Sequence, residues 1–352
     1  MKTSDFYFDL PAERVAQYPC GRGESRLLLF DRAAGRITHH AVRDLPGLLE
    51  SGVLLVFNDS RVRKARVFGV GSSGKKHEFL LLGPVQNGED YAGSPVWEAL
   101  VKKPSKKLSG RFRFNDGAEA VLEGGERGYT LRFDRNIDDS WLDRNGHVPL
   151  PPYIKRPDEE LDAERYQTVY ASVYGSAAAP TAGLHFTGDI LSDIAEHGID
   201  TAFITLHVGL GTFLPVRCAD AEDHRMHTEY FFIGGVAADK IEAAKRDGRK
   251  VVAVGTTTLR ALESAADDGG RLRRGEQRTN IFIRGDYRFR MADALFTNFH
   301  TPESTLLMLV CAFAGSEHGG GEAGRRMILE TYREAINNGY NFFSYGDAML
   351  IR

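Results

Sequence analysis

The sequence predicts an α/β protein: a mainly parallel sheet domain flanked by helices, carrying an inserted all-β, barrel-like domain. Three observations carry that expectation. Compact apolar runs of strand length alternate with helix-like runs near the start and again through the second half. Between about Ala65 and Pro149 the texture changes to short strand-like runs separated by Gly, Asn, Asp and Ser turns, with almost no helical period. A length of 352 residues suits two domains. The expected division is 1–64 plus 150–352 for a discontinuous α/β domain and 65–149 for the inserted barrel.

Taken in order, Arg26 to Asp31 and Val53 to Phe57 are apolar runs of strand length. The second runs into Asn58-Asp59-Ser60-Arg61, polar residues at a strand's C-terminal end, where open α/β sheets bind ligands. Within the insert, His77 to Leu82, Val96 to Val101, Arg111 to Phe114, Ala118 to Leu122 and Tyr129 to Phe133 read as strands, and Ser140 to Asn145 as a short helix. Pro149-Leu150-Pro151-Pro152-Tyr153 is a stiff return linker. Beyond it, Asp158 to Ser172 reads as an acidic-started helix, Asp189 to Glu196 as another, Gly198 to His207 as a strand, Val236 to Arg246 as an amphipathic helix and Lys250 to Val254 as a strand. Asp293 to His300 is the next strand. Thr301 is placed to cap the following helix with Pro302 at its first position, and Leu306 to Ala314, apolar all round, reads as buried. Gly319-Gly320-Gly321 reads as a flexible tract between two helices.

Composition narrows the class. An apolar content of 42% supports a real core, and a net charge of −3 confines any nucleic-acid contact to a local patch. Cys20, Cys218 and Cys311 form no paired spacing, which argues against a zinc knuckle or a disulfide framework and fits a reducing cytosol. The first residues meet Asp5 before any apolar run, unlike a signal peptide, and no apolar run approaches the ~20 residues of a membrane span. A cytoplasmic location is expected.

The chemistry concentrates between Pro180 and Tyr230. Five of the eleven histidines lie there, four of them beside glycine, threonine or carboxylate residues: His185 in Pro180-Thr181-Ala182-Gly183-Leu184-His185-Phe186, His207 in Thr205-Leu206-His207-Val208-Gly209-Leu210-Gly211-Thr212-Phe213, and His224 and His227 in Glu222-Asp223-His224-Arg225-Met226-His227-Thr228-Glu229-Tyr230. Imidazole titrates nearest neutrality and is the usual proton carrier, and glycine lets backbone approach a ligand. His197 ends its helix and reads as structural. Elsewhere, Gly255-Thr256-Thr257-Thr258-Leu259-Arg260 follows an apolar strand, a strand–turn–helix start that aims N–H groups and hydroxyls at an anion. Three threonines exceed what one cap needs. Asn298 and His300, two apart, share a strand face and emerge at its C-terminal end. In the insert, Lys102, Lys103, Lys106, Lys107, Arg111 and Arg113 place six positive charges and no negative one in a single stretch, a candidate phosphate-contacting loop.

These strings resemble the S-adenosylmethionine:tRNA ribosyltransferase-isomerase family of queuosine biosynthesis. The resemblance extends to Ser25-Arg26-Leu27-Leu28, Val56 to Val62, Pro149 to Ile154, Tyr166 to Tyr170, Gly175 to Phe186 and Phe342 to Met349. It departs at Lys64, where the family has proline, at Gly285-Asp286 before Tyr287, and at Thr301 before Pro302. It implies transfer and isomerisation of the ribosyl part of S-adenosylmethionine onto 7-aminomethyl-7-deazaguanine at the wobble position of tRNA, giving epoxyqueuosine, adenine and methionine. The site is then expected at the interface of the two domains, with S-adenosylmethionine as co-substrate, no other cofactor and no metal.

That reaction requires a base near the ribose 5′-carbon, a proton for departing adenine and an anion site for the methionine carboxylate. The candidate proton carriers are His185, His207, His224, His227 and His300, with Glu229 and Asp59 to serve or orient them; the sequence leaves open which histidine is the base. Candidate substrate contacts are Asn58, Asp59, Arg61, Thr181, Gly183, Gly209, Gly211, Thr256, Thr257, Thr258, Arg260 and Asn298, with Arg260 alternatively pairing within its helix. The expected partners are tRNA carrying the deazaguanine precursor and S-adenosylmethionine, with no membrane and a monomeric chain. Two rivals stand beside this reading. A metal-dependent hydrolase would use His224, His227 and Glu229 as ligands, although their spacing matches no helical metal motif. A non-catalytic RNA-binding protein would use the basic insert alone.

Overall fold

The computed structural model describes residues 1–85, 94–102, 108–125, 128–209, 216 and 218–352. Its larger domain is built on a nine-stranded sheet. In spatial order the strands are Gly275–Thr279, Glu229–Ile233, Asp200–Leu206, Leu54–Asn58, Val251–Val254, Ala294–Asn298, Ala348–Ile351, Arg26–Asp31 and Arg36–Ala41. The four from Asp200–Leu206 to Ala294–Asn298 are parallel, and they end together at Leu206, Asn58, Val254 and Asn298. Antiparallel pairs occur in both margins, with Ala348–Ile351 and Arg26–Asp31 parallel to each other, so the sheet as a whole is mixed.

The strand residues alternate between two apolar layers, as period-two geometry requires. Leu54, Val56, Ile204, Val251, Ala253 and Leu295 pack under the helices Gly235–Arg246, Thr256–Ala265 and Thr305–Gly315. Leu55, Phe57, Val252, Val254 and Phe296 pack on the other face against Phe186 and the helix Gly188–Glu196, through Ile190 and Ile194. His197 caps that helix, its Nδ1 2.8 Å from the Asp193 carbonyl.

The inserted β-rich segment closes into a barrel of six strands, Arg66–Gly71, Lys76–Pro84, Ser94–Val101, Gly110–Arg113, Glu119–Gly125 and Gly128–Ile137. Its core of Phe79, Trp97, Phe112, Phe114, Leu131 and Phe133 is sealed by Trp141 and Leu142 of the helix Asp139–Asn145. The chain leaves the large sheet through Ser60–Val62, which pairs in parallel with Val173–Ser176 after the return.

Three local expectations are corrected. The helix expected over 158–172 spans only Glu160–Arg165, because Tyr166 turns into a core and the Gln167 amide pairs with both backbone groups of Val62. Ser304, not Thr301, caps the buried helix, its hydroxyl accepting from the Leu307 N–H. The triple glycine opens the helix Gly320–Asn337, which packs close to the preceding helix: a Cβ on Gly324 would lie 2.0 Å from the Cys311 carbonyl oxygen. Among the described residues no helix is long and apolar enough to cross a membrane.

Candidate active site

The parallel strands deliver their C-terminal ends to one cleft. Its walls include Tyr153, Ala178, Thr181, Val208, Thr256, Thr257, Thr297, Asn298, His300 and Phe343, around about 620 Å³ of space that includes open solvent. The cleft lies where open α/β sheets bind ligands.

Two features of its wall are chemically specific. The helix Thr256–Ala265 begins at Gly255, whose φ of 93° suits glycine, and no side chain caps it. Its first-turn N–H groups lack intrahelical partners and carry the positive end of the helix dipole. Thr256 and Thr257 face the cleft, whereas the Thr258 hydroxyl donates back to the Val254 carbonyl at 2.7 Å. The second feature is Asn298, 2% exposed. Its Nδ2 donates to His185 Nε2 at 3.0 Å and to the Phe343 carbonyl at 3.2 Å, leaving Oδ1 buried without a partner. A buried acceptor left unpaired is costly, and a donor on a ligand satisfies it.

The histidines divide into distinct roles. His185 is buried and bonded at both nitrogens: Nε2 accepts from Asn298, so Nδ1 carries the proton and donates to Ser25 Oγ at 2.8 Å. Burial pushes its pKa down to about 4. Burial also pushes His300 down to about 3, with Nε2 3.0 Å from Thr297 Oγ1. His207 follows the strand Asp200–Leu206, and its Nδ1 is buried with no hydrogen-bond partner. Burial lowers its pKa, Arg63 lowers it further, and Asp59 and Glu276 oppose them. The ring rests on Gly175, where a Cβ would stand 2.6 Å from Nδ1 and Cε1.

The depressed values have a stability consequence. Folding holds His185 and His300 neutral while the unfolded chain binds protons near pH 6.5. Their contribution is therefore complete above that pH and is lost as pH falls towards about 4 and about 3. Replacing His300 with glutamine is expected to flatten the rise of unfolding free energy between pH 4 and 6.5, measured by urea titration, by up to one proton's worth of slope, ~1.4 kcal/mol per pH unit. An unchanged slope would mean that this ring is not held neutral by the fold.

The other candidates are placed less uniformly. The Asn58 amide clips two strands together: Nδ2 donates to the Leu206 carbonyl and Oδ1 accepts the Leu206 N–H, both at 2.9 Å. Asp59 accepts from Thr205 Oγ1 at 2.6 Å and Ser172 Oγ at 2.9 Å. Arg61 lies over the Tyr174 ring, 4.6 Å from its centroid. Thr181 lines the cleft, and Gly183 is buried against the Tyr170 hydroxyl. Arg260 is drawn away from the cleft: it pairs with buried Glu229, a cross-element partner rather than one in its own helix, while its Nε and Nη2 stay unpartnered. Glu229 also takes the Gly209 N–H at 3.1 Å. Gly211 lies outside the described residues.

His224 packs edge-on to Phe282 near His227, which is exposed; neither lines the cleft, and nor do His185 and His207, although Val208 beside His207 and Asn298 beside His185 do. Glu229 is committed to Arg260 and Gly209, and among the described residues no group of three or more His, Cys, Asp or Glu could hold a metal ion. On the barrel, Lys102 pairs with Glu78 at 2.9 Å and Arg111 with Glu119 at 2.8 Å, acids supplied from neighbouring strands, while Arg113 is exposed. Lys103, Lys106 and Lys107 lie outside the described residues.

Cleft residues not singled out from the sequence include Tyr153, Thr297, Phe343 and Ser344. Tyr153 and Ser344 share a 2.6 Å hydroxyl bond, and Phe343, with φ of 72°, packs tilted against Tyr153 at 4.6 Å between centroids. A non-glycine residue at positive φ is held there by its surroundings, a pattern that collects at ligand sites. Thr301, a departure from the resembled pattern, also lines the cleft.

A family profile described as "Queuosine biosynthesis protein" matches residues 3–351. The S-adenosylmethionine:tRNA ribosyltransferase-isomerase of Treponema denticola is 49% identical over 359 aligned positions that cover 100% of both chains. The protein of the same name from Legionella pneumophila strain Corby is 46% identical, again with 100% of both chains covered. Among solved structures, an S-adenosylmethionine tRNA ribosyltransferase from Thermotoga maritima matches with a TM-score of 0.54 at 31% identity, over 99% of this chain and 100% of that one.

Proposed function

Since the chain belongs to the queuosine biosynthesis protein family and is an enzyme of the S-adenosylmethionine:tRNA ribosyltransferase-isomerase class, we propose that the cleft at its strand ends holds S-adenosylmethionine while a tRNA nucleotide is modified beside it. The observation that carries this assignment is the pairing of an uncapped helix N-terminus with the unpartnered Oδ1 of Asn298 in one cleft. The first suits a carboxylate, and the second suits an ammonium or amino N–H. S-adenosylmethionine offers both.

In this assignment Thr256 and Thr257 bind the methionine carboxylate, and Asn298 accepts from the co-substrate with its amide held in one orientation by His185. His207, neutral and with a vacant Nδ1, takes the proton from the ribose 5′-carbon, which the adjacent sulfonium acidifies. His300, within the cleft wall, is placed to serve departing adenine. Thr258, Arg260, Glu229 and Asn58 hold the walls in place. The working unit is 1–64 plus 150–352 for catalysis, with 65–149 bracing the RNA, and the enzyme acts as a cytoplasmic monomer without a metal.

With precursor tRNA and S-adenosylmethionine, mass spectrometry should find adenine and methionine released one for one with an epoxyqueuosine nucleoside. Appearance of S-adenosylhomocysteine would instead mean methyl transfer and end this assignment. For the barrel, glutamine at Lys102, Lys103, Lys106 and Lys107 together should weaken tRNA binding. It should also flatten the slope of log affinity against log salt by roughly 0.7–0.9 for every phosphate that the variant no longer neutralises. Lys102, already paired with Glu78, should contribute least. A slope equal to that of the wild type would mark the loop as merely solvated.

A further inference from the structure

Among the described residues, one face of the sheet margin is left uncovered. The apolar layer formed by Phe186, Ile190 and Ile194 ends at Phe203, which stacks on Phe57 at 5.5 Å and meets Tyr170 at 5.4 Å. Outward from there, Phe203, Phe232 and Tyr230 are 39%, 46% and 53% exposed. The register places them on one face. Thr205 opposes Phe232, the His207 N–H bonds to the Tyr230 carbonyl, and Tyr230 opposes Arg278 on the edge strand. Residues two apart in a strand share a face, so Phe203, Thr205 and His207 form one row and Phe232 and Tyr230 the next.

Three half-exposed rings in register, running up to the vacant nitrogen of His207, are not needed for the core. The Arg278 guanidinium lies over the Tyr230 ring at 4.7 Å, and Arg61 lies over Tyr174, the residue before the Gly175 on which the His207 ring rests. Among the described residues neither arginine is in an ion pair. Aromatic rings flanked by unpaired guanidinium groups match unpaired nucleotides, whose bases stack and whose phosphates are anionic. A second copy of the chain is a poor fit. Three half-exposed rings offer roughly 300 Å² of apolar surface, against about 800 Å² per partner in a stable protein interface.

We propose that this face, centred on Phe203, Tyr230, Phe232 and Arg278, is a stacking platform for unpaired nucleotides of the tRNA loop, and that it leads the target nucleotide past His207 to the cleft. The inference rests on the functional assignment above, and its test separates the two. Fluorescence anisotropy with an unmodified anticodon stem–loop RNA, and with a fully paired duplex of the same length, reads the platform directly. Tyr230→Leu and Phe232→Leu keep apolar bulk but remove the π face. Each should weaken stem–loop binding about 5- to 150-fold, while duplex binding stays at the wild-type value. Tyr230→Phe and Phe232→Tyr should restore it. Leucine variants that bind the stem–loop as tightly as the wild type would overturn the platform, as would equal weakening of both RNAs. A wild-type dimer in sedimentation velocity that the leucine variants split would also overturn it, assigning the rings to a subunit contact. Release of adenine by the wild-type enzyme is independent of all these outcomes, so failure of the platform leaves the reaction standing.

Discussion

Alanine at His207 is expected to lower turnover by ~10²–10⁴-fold, the usual worth of a positioned proton carrier, with little loss of stability. The asymmetry follows from the surroundings of the ring. Among the described residues its Nδ1 makes no hydrogen bond, so truncation breaks none there. A neutral imidazole with a vacant nitrogen is what proton abstraction near neutral pH requires. Gly175→Ala supplies an independent arm, since its Cβ would intrude to within 2.6 Å of the same nitrogen and displace the ring without changing its chemistry. Both variants should retain S-adenosylmethionine affinity and lose kcat. Near-normal turnover in His207→Ala would move the base to His300 or His185.

The second large effect is on stability. Arg260 and Glu229 are about 96% and 95% buried as side chains and pair across the gap between the helix Thr256–Ala265 and the strand Glu229–Ile233. Removing one member strands a charge in the interior, so Arg260→Met should cost about 3–5 kcal/mol in urea unfolding. Arg260→Met combined with Glu229→Met should cost less than the sum of the two single changes, because the orphaned charge disappears with its partner. A single-variant cost within the range of an exposed ion pair, below ~1 kcal/mol, would show that water reaches this pair.

Much of the architecture was legible because it rests on local periodicity. The alternating runs of the parallel strands and the turn-punctuated strands of the barrel are written within five to ten neighbouring residues. The misplacements share one cause, which is distant partners overriding local signals. Nothing near Tyr166 announces that Gln167 will bond Val62, and Thr301-Pro302 is as good a helix start locally as Ser304. Of the cleft wall, His300, Asn298, Thr256 and Thr257 could be picked out because polar residues at strand ends carry a positional meaning. The pairing of Arg260 with Glu229 joins residues 31 positions apart, and no sequence spacing distinguishes it from a helix-internal pair. His224 and His227 share a segment with His207 but not its surroundings. Tyr153 and Ser344, 191 positions apart, meet only in the folded chain.

The strand Ala348–Ile351 lies between Ala294–Asn298 and Arg26–Asp31, and the Arg26 N–H bonds to Asp347 across 321 positions. It is the wedge that joins the margin Arg26–Ala41 to the rest of the sheet. During synthesis the barrel, made of neighbouring hairpins, has all its strands within one contiguous stretch and can close early. The large sheet cannot, because its two parts have no direct seam until this late segment emerges from the ribosome. Long-range pairing of this kind is slow and leaves strand edges open meanwhile. A chain that stops just upstream of Ala348 leaves Leu27, Leu29 and Phe296 without the strand they pack beside, and so loses the seam between the two parts of the sheet.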